Sequence, residues 1–547
     1  MKKIMILGAG LMQKPAILSC KNLGYESVVV DANPNALCVP LADNFYPVDL
    51  KDKEAILELA EKINSESGSD DGIAAVFTAG TDFSASVAFV SEKLGLSSHS
   101  YEACLNASDK VRMRGCFSRC GVPSPSFEQI DSEDFVRVRK DVESGKVEFP
   151  KVVKPCDNMG GRGCRLVRGK EEFESAISSA IKNSRTGRAI FEDYMEGDEY
   201  SIDSVVYNGT LTITGFADRH IFYPPYFIEM GHSLPTAVDT RKKNELIATF
   251  ALGIKALGLT CGVAKADIKY TKNGPMIGEI AARLSGGYMS GWTFPYSSGV
   301  NLTQTAMTVA LGKEPSDLVA GRVPLPWQPH SSVGNQEQPF EIFEIESLRF
   351  SAERAWISIP GKVSKIYGLE KVKNSAFIRD VLPRVKEGIK VDFPRNNVEK
   401  CGNIIAVSDC RRYSYDAAEK AVSKITVRLE PCNRETEKFL FGTPEKDEAG
   451  FPPSAFTFAP SAESGASSSV GKGTVIPADE PVIEYIPEIL APISDSIRDW
   501  NYRTLRRTLE IFDEICPKHK CLDGGTFWPA VLRGGIQGAL YVSDSES

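Results

Sequence analysis

Val263-Ala264-Lys265-Ala266-Asp267-Ile268, a charged turn at Lys272-Asn273-Gly274, and Met276-Ile277-Gly278-Glu279-Ile280-Ala281-Ala282-Arg283 read as two β-strands joined through Asn273-Gly274. An Asn-Gly pair between apolar alternating runs is a strong short-range signal for a hairpin. Strand periodicity then puts Asp267 and Glu279 on neighbouring strands with both carboxylates on one face. Two hard oxygen donors beside a polyphosphate are what magnesium takes, because it keeps waters and phosphate oxygens for its remaining positions.

Upstream lies a strand, an acidic turn and a strand with period-two alternation, Ala189-Ile190-Phe191-Glu192-Asp193-Tyr194-Met195-Glu196-Gly197-Asp198-Glu199-Tyr200-Ser201-Ile202-Asp203. Such an element offers backbone groups to a base and a carboxylate to ribose hydroxyls, or is simply an antiparallel hairpin. Before it, Phe149-Pro150-Lys151-Val152-Val153-Lys154-Pro155 reads as a short strand carrying Lys154 near its end. Asp157-Asn158-Met159-Gly160-Gly161-Arg162-Gly163-Cys164 follows, then a β run from Arg165 to Val167. Glycines between two strands make either a plain turn or a hairpin whose amides close over phosphates. Ser108-Asp109-Lys110 opens a helix to about Cys120, stopped by Gly121 and Pro123, so Lys110 lies in a first turn where amides and a cation can face an anion.

The chain opens with a strand, Ile4 to Leu7, a Gly turn, a helix from about Lys14 to Leu23, and a second strand from Ser27 to Val30 ending at Asp31. Gly8-Ala9-Gly10-Leu11-Met12-Gln13 starts like a dinucleotide fingerprint, but the third glycine, where helix and strand pack closest, is Gln13. It is a tight strand-to-helix turn of a non-redox α/β domain or a nicotinamide site. Ala74 to Gly80 continues the pattern as a buried strand before a helix from about Phe83 to Leu94.

The length of 547 residues corresponds to about three or four domains. A 42% hydrophobic, 25% charged composition is that of a globular protein. The net charge of −8, without a Lys/Arg run, leaves no electrostatic footprint for nucleic acid or an anionic membrane. No apolar run approaches the ~20 residues that span a bilayer, and thirteen scattered cysteines fit reduced thiols, so a cytoplasmic location is expected. Cys516, His519 and Cys521 come nearest to a metal pattern but lack a second pair nearby.

Taken in order, these elements resemble the ATP-grasp ligases, and within them the biotin-carboxylase-like branch containing carboxylate–amine and L-amino-acid ligases, over residues 1 to about 430. The resemblance implies an α/β and α+β multidomain chain: a Rossmann-like pre-ATP-grasp domain (1–105), an ATP-grasp nucleotide clamp (106–340) and a small β-rich C-terminal domain (341–430). A flexible linker (431–481) and a tail of unassigned role (482–547) follow. NAD is not implied, since the first domain of that family helps hold the second substrate.

By the same resemblance Lys110 and Lys154 contact ATP phosphates and the loop Met159, Gly160, Gly161, Arg162, Gly163 to Cys164 closes over them. Glu192 with the Asp193-Tyr194 backbone holds adenine, and Glu199 takes the ribose hydroxyls. Asp267 and Glu279 bind magnesium, or manganese in its place. Arg283 stabilises the transferring phosphoryl group or the acyl phosphate. Ile228-Glu229-Met230-Gly231-His232-Ser233-Leu234-Pro235 resembles a loop facing substrate, although His232 also reads as a turn histidine. Arg219, His220, Glu229, His232 and Tyr288 are the candidate contacts for the acid and amine, and their charges point to a zwitterionic or dicarboxylic substrate.

Two departures matter. Ala281 stands where many members carry an auxiliary Asn ligand, and Leu284 to Trp292 lacks the bicarbonate-positioning motif of carboxylases, being closer to the amino-acid ligases.

The chemistry also follows without the family. A carboxylate is a poor electrophile for an amine, so ATP must first convert it to an acyl phosphate, a step needing positioning and charge neutralisation rather than a protein nucleophile. The expected activity is therefore ATP-dependent carboxylate–amine ligation with release of ADP and phosphate. The alternatives are a nucleotide-binding sensor without turnover, and a carboxylase or purine-type ligase of the same fold. Small-molecule acids and amines are the expected partners, and a homodimer is compatible with the branch.

After residue 340 the sequence reads as short strands (355–359, 361–366, 387–391, 402–407) and a helix from about Ser414 to Ile425. Residues 450–481 are more than half Gly, Pro, Ser or Ala, the composition of a connector. Asp495 to Ile515 is amphipathic, and its stripe can pack on the core, mediate oligomerisation or bind a partner.

Overall fold

The computed structural model describes residues 1–67, 71–442, 450–456, 486–488, 490–517 and 523–546. They fall into two compact units. The first comprises Met1–Met159, Val167–His220 and His232–Ser351; the second comprises Gly160–Leu166, Ile221–Gly231 and the chain from Ala352 onward.

The first unit opens with a four-stranded sheet in the order Asn44–Tyr46, Glu26–Val30, Lys3–Leu7, Ile73–Phe77, with every pairing parallel. Ile4 to Leu7 and Val28 to Val30 are buried on both faces, as continuous apolar runs in a parallel sheet require. The residue that broke the glycine fingerprint has a structural job. Gln13 is fully buried, its amide donates to Ala79 O (2.5 Å) and accepts from Ala79 N (3.0 Å), and a Cβ on Gly8 would lie 3.2 Å from its side chain. Asp31 accepts from Ala9 N (2.8 Å) and so caps the glycine turn. The turn is thus filled and closed by its own side chains, which answers the nicotinamide alternative.

The helix Lys110–Arg119 starts on an Asp109 cap that accepts from Val111 N and Arg112 N at 2.9 and 3.0 Å. Three antiparallel strands, Phe127–Ile130, Ala189–Asp193 and Lys151–Pro155, pair in that order and pack Val153 and Phe191 against Phe173. A larger antiparallel sheet runs Gly274–Ala281, Gly262–Thr271, Gly197–Tyr207, Thr210–Phe222. The helix Thr240–Leu257 buries Leu246, Phe250 and Ile254 in the same core as Ile268, Ile277 and Ile280. The hairpin turn is one residue off the expectation: Thr271 pairs Gly274, leaving Lys272-Asn273 as the loop and Gly274 at φ +94°.

The stretch read as a substrate-facing loop is a strand, Ile228–Leu234, buried along its whole length. Gly231 permits this: a Cβ there would meet Glu353 O at 2.3 Å, so the glycine marks close backbone approach within the second unit rather than a bend.

In the second unit, Ile378–Pro383 pairs Gly402–Ser408, and Gly361–Tyr367 pairs both Lys390–Val391 and Thr426–Leu429, all antiparallel. The helix expected from Ser414 begins earlier, at Arg411–Val422. The linker expectation is corrected at its start. Arg434–Phe441 is a helix capped by Asn433, and Phe451, Ala455 and Phe456 are buried in the unit's main core, because these apolar side chains outweigh the surrounding Gly and Pro. The Ser/Gly-rich remainder, 457–485, lies outside the described residues.

The tail packs. Leu505–Ile515 and Gly524–Ser545 are helices, and Trp500, Phe512, Phe527 and Trp528 share one core with Trp356, Phe393 and Val422. Asn501 donates to Ile357 O (2.9 Å) and accepts from Ile357 N (3.0 Å), and Gln537 accepts from Ile359 N (3.1 Å) and donates to Ser358 Oγ (2.7 Å). Cys516 is buried here, while His519 and Cys521 lie outside the described residues. Among the described residues no three or more His, Cys, Asp or Glu gather as a metal site, and no helix is long and apolar enough to cross a membrane.

Candidate active site

The site grows from one register. Asp267 on Gly262–Thr271 stands opposite Glu279 on Gly274–Ala281, and the register shifts immediately after Asp267. Facing residues of a ladder share a face, so the hairpin delivers two carboxylates to one place. Lys110 Nζ lies 3.8 Å from Glu279 Oε2 and donates to Asn158 O (2.9 Å). Burial pushes the Glu279 carboxyl up, but the charges of Lys110, Lys265, Arg283 and Lys154 outweigh it and hold the group at about 2. Glu279 is therefore ionised at every physiological pH.

Around this pair the cations are arranged in layers. Lys265 pairs with Asp267. Arg219 Nη1 lies 2.5 Å from Glu199 Oε1 and 2.7 Å from Asp267 Oδ1, and Lys269 approaches Glu199 Oε2 at 3.3 Å while sitting 5.2 Å over the Tyr194 ring. Glu192 is almost fully enclosed between Lys154 Nζ and Arg114 Nε, each at 2.7 Å. Burial raises the Glu192 carboxyl, and Arg114 and Lys154 overcome it, leaving the group below the usual carboxylate range. Arg114 Nη2 also donates to Gly278 O (2.6 Å), tying this pocket to the strand that carries Glu279. Asp193 is exposed and paired with Lys151.

Arg283 is 8% exposed; its Nη1 donates to Leu284 O (3.1 Å) and its Nε lies 3.8 Å from Asp82. The segment after it is fixed from below. Asp203 Oδ2 accepts from Ser285 N (3.2 Å) and Ser285 Oγ (2.7 Å). Burial pushes Asp203 up to about 6 against these hydrogen bonds and the charges of Lys265 and Arg283.

The residues read as substrate contacts separate. Arg219 joins the carboxylates of Glu199 and Asp267. His220 Nε2 meets Ser233 Oγ at 2.8 Å. His232 is fully buried, and Tyr288, at φ +63°, is buried with its ring edge-on to Trp292 (5.3 Å). Glu229 belongs to the second unit, where its N donates to Asn397 Oδ1 (2.8 Å) and its O accepts from Lys400 Nζ (2.6 Å). In the glycine-rich loop, Met159 belongs to the first unit and Gly160 to Leu166 to the second. Gly160, Gly161 and Gly163 sit at φ +71°, +76° and +68°, a left-handed path only glycine follows readily, and Cys164 N closes the turn on Gly161 O (3.1 Å).

Sequence reasoning missed Arg114, Lys265, Lys269, Asp82 and Asp203. The first two carried a signal, since Arg114 is four residues after Lys110 on one helix face and Lys265 two before Asp267 on one strand face. Asp82 and Asp203 approach the site only through tertiary packing.

A Rossmann-like opening domain, a clamp of two antiparallel sheets and a cation-lined carboxylate pair define a nucleotide-grasping α/β chain. Residues 147–291 match the ATP-grasp domain, residues 355–430 the L-amino acid ligase C-terminal domain 2, and residues 1–67 the ribonucleotide synthetase preATP-grasp domain. The chain belongs to the ATP-grasp superfamily, in its biotin-carboxylase-like branch. It is 25% identical over 342 residues to carnosine synthase 1 of Mus musculus, covering 58% of this chain and 40% of that protein. It is 26% identical over 234 residues to formate-dependent phosphoribosylglycinamide formyltransferase of Prochlorococcus marinus, covering 41% and 54%. The chain thus spans well under two thirds of the length of these relatives. Among solved structures, L-amino acid ligase from Bacillus licheniformis superposes with a TM-score of 0.63 at 19% identity, covering 79% of this chain and 99% of that one. Phosphoribosylglycinamide synthetase from Anaerococcus prevotii gives 0.57 at 18%, covering 78% and 100%.

Proposed function

We propose that this chain is an ADP-forming carboxylate–amine ligase acting on an amino acid or a similar acid. The observation that carries this reading is the Asp267–Glu279 pair within reach of Lys110, Lys265 and Arg283, with Glu279 kept ionised. A protein that only binds a nucleotide has no need of two ionised carboxylates under four cations. The match of residues 355–430 to an L-amino acid ligase domain supports the amino-acid class.

In this reading Lys110 and Lys154 bind the phosphates, Glu192 and the Asp193-Tyr194 backbone hold the base, Glu199 takes the ribose, and the 159–164 loop covers the phosphates. Asp267 and Glu279 fit a magnesium ion. They are two hard carboxylates on facing strand positions with no further cluster of ligating side chains, which suits an ion that completes its shell with phosphate and water oxygens. Bound there, magnesium supplies charge neutralisation between the phosphates.

The substrate carboxylate oxygen attacks the γ-phosphorus as its bond to the β-phosphate oxygen breaks, giving an acyl phosphate and ADP. Arg283 neutralises charge on the transferring group, worth several kcal/mol when the site excludes water. The amine then attacks the acyl carbon, inorganic phosphate leaves and the amine proton is released. Asp203, through Ser285, holds the chain that follows Arg283. A cytoplasmic location agrees with described cysteines that are all free thiols.

The test is ADP and phosphate release from magnesium–ATP against pooled amino acids and small amines, with mass spectrometry for a new amide. Glu279→Ala is the control. ADP with a new amide is the expected outcome; turnover unchanged in Glu279→Ala sinks the site assignment.

A further inference from the structure

We propose that Asn397 is the positioning residue of the glycine-rich loop, so that the C-terminal segment sets how firmly that loop is held. The inference rests on the reading above for its kinetic consequence, but not for its structural one.

Three left-handed glycines give the loop little intrinsic preference for one path and no side chains with which to pack, so its position must be imposed through backbone hydrogen bonds. Within the second unit, Asn397 supplies them with three different groups. Its N–H donates to Gly160 O (2.8 Å). Its Oδ1 accepts from Glu229 N (2.8 Å), and Glu229 O in turn takes Lys400 Nζ (2.6 Å). Its own carbonyl accepts from Arg384 Nη1 (3.1 Å). A Cβ built on Gly161 would lie 3.7 Å from Asn397 Nδ2, so the loop packs on this side chain at van der Waals distance.

The platform that presents Asn397 is itself stiff. The Glu399 carboxylate accepts from Arg395 N (2.8 Å) and Asn396 Nδ2 (2.6 Å), and Asn396 Oδ1 accepts from Val398 N (3.0 Å). Asn397 therefore joins three chain segments distant in sequence: the glycine-rich loop, the 221–231 connection and the C-terminal domain. All three belong to one compact unit. An asparagine suits the position because it offers an acceptor on a short side chain beside its own backbone donor.

The experiment uses the full chain, comparing wild type with Asn397→Ala and Asn397→Asp. Amide exchange of residues 159–166 is read beside that of the 262–271 strand as a folding control, together with KM and kcat for magnesium–ATP. Removing the Oδ1 acceptor is expected to speed exchange of 159–166 about ten-fold and to raise KM for ATP by about five- to ten-fold. Exchange of 262–271 stays unchanged and kcat moves less than two-fold. Asn397→Asp keeps the acceptor and is expected to restore both readouts. Should Asn397→Ala lose protection in 262–271 as well, Asn397→Ser carries the same comparison. Unchanged exchange of 159–166 in a folded variant overturns the proposal. Faster loop exchange in a chain whose wild type does not bind or turn over ATP leaves the latch standing and removes the ligase reading.

Discussion

Arg219 Nη1 reaches two carboxylates of different expected duty, 2.5 Å from Glu199 and 2.7 Å from Asp267. One guanidinium thus couples the ribose acid to the metal acid. It acts on the nucleotide side of the reaction rather than on the acid or the amine.

Arg219→Ala should therefore raise KM for magnesium–ATP while leaving KM for the acid nearly unchanged. Loss of a charge-assisted hydrogen bond of about 1.5–3 kcal/mol corresponds to roughly ten- to a hundred-fold in kcat/KM for ATP. The opposite split, with the acid KM raised and the ATP KM untouched, would return Arg219 to the substrate pocket.

Arg114 and Glu192 form a buried pair, 0% and 1% exposed, 2.7 Å apart. Breaking a buried pair by removing one partner typically costs about 3–5 kcal/mol, because the other charge is stranded. Arg114→Met is expected to lower the melting temperature by several degrees. Adding Glu192→Gln to it should recover part of the loss without recovering ATP binding, since the acid that faces Lys154 is then gone. Calorimetry and nucleotide titration of the two variants check both halves; equal melting temperatures of Arg114→Met and wild type would contradict the first.

His99 gives the acid limb of stability. Its Nδ1 accepts from Thr260 N and Cys261 N (3.1 Å each), so the proton sits on Nε2 and is donated to Val263 O (3.1 Å). Burial, against the pull of that carbonyl, takes the imidazole down to about 4. The unfolded chain takes up its proton near 6.5, before the folded one does. The contribution is therefore complete above pH 6.5 and is lost as pH falls from 6.5 towards 4, by about 3 kcal/mol in all. Melting curves across that range should fall more steeply for wild type than for His99→Phe. Parallel curves would show that His99 does not govern the acid limb.

The legible part of the site is the part fixed by local periodicity. Asp267 and Glu279 are read from two alternating strands and an Asn-Gly signal, and even a one-residue error in the turn leaves them facing, because both lie on the same side of the ladder. Lys110 is read from its cap residue Asp109. Glu229 and His232 were taken for loop residues because Gly231 and Pro235 punctuate them. The strand there is buried along its length, and its glycine answers to close packing that no local pattern encodes. Arg219 and Asp203 act across strands far apart in sequence, so their roles follow from sheet order alone. The same limit hid the fold of the tail, whose low-complexity surroundings masked Phe451 and Phe456.

That tail leads to the last expectation. Trp528 is fully buried within a core it shares with Trp356 and Phe393, and Asn501 pairs both backbone groups of Ile357. An appendage recruited only for a partner would leave the ligase core intact when removed, whereas a tail that completes the core cannot be removed without exposing it. Trp528→Ala should cost about 3–5 kcal/mol. Truncation before residue 486 should leave the C-terminal unit unable to fold, read as loss of amide protection in Gly402–Ser408 and Thr426–Leu429. Full protection of those strands in the truncated chain would instead make the tail dispensable to the fold and reassign it to a partner.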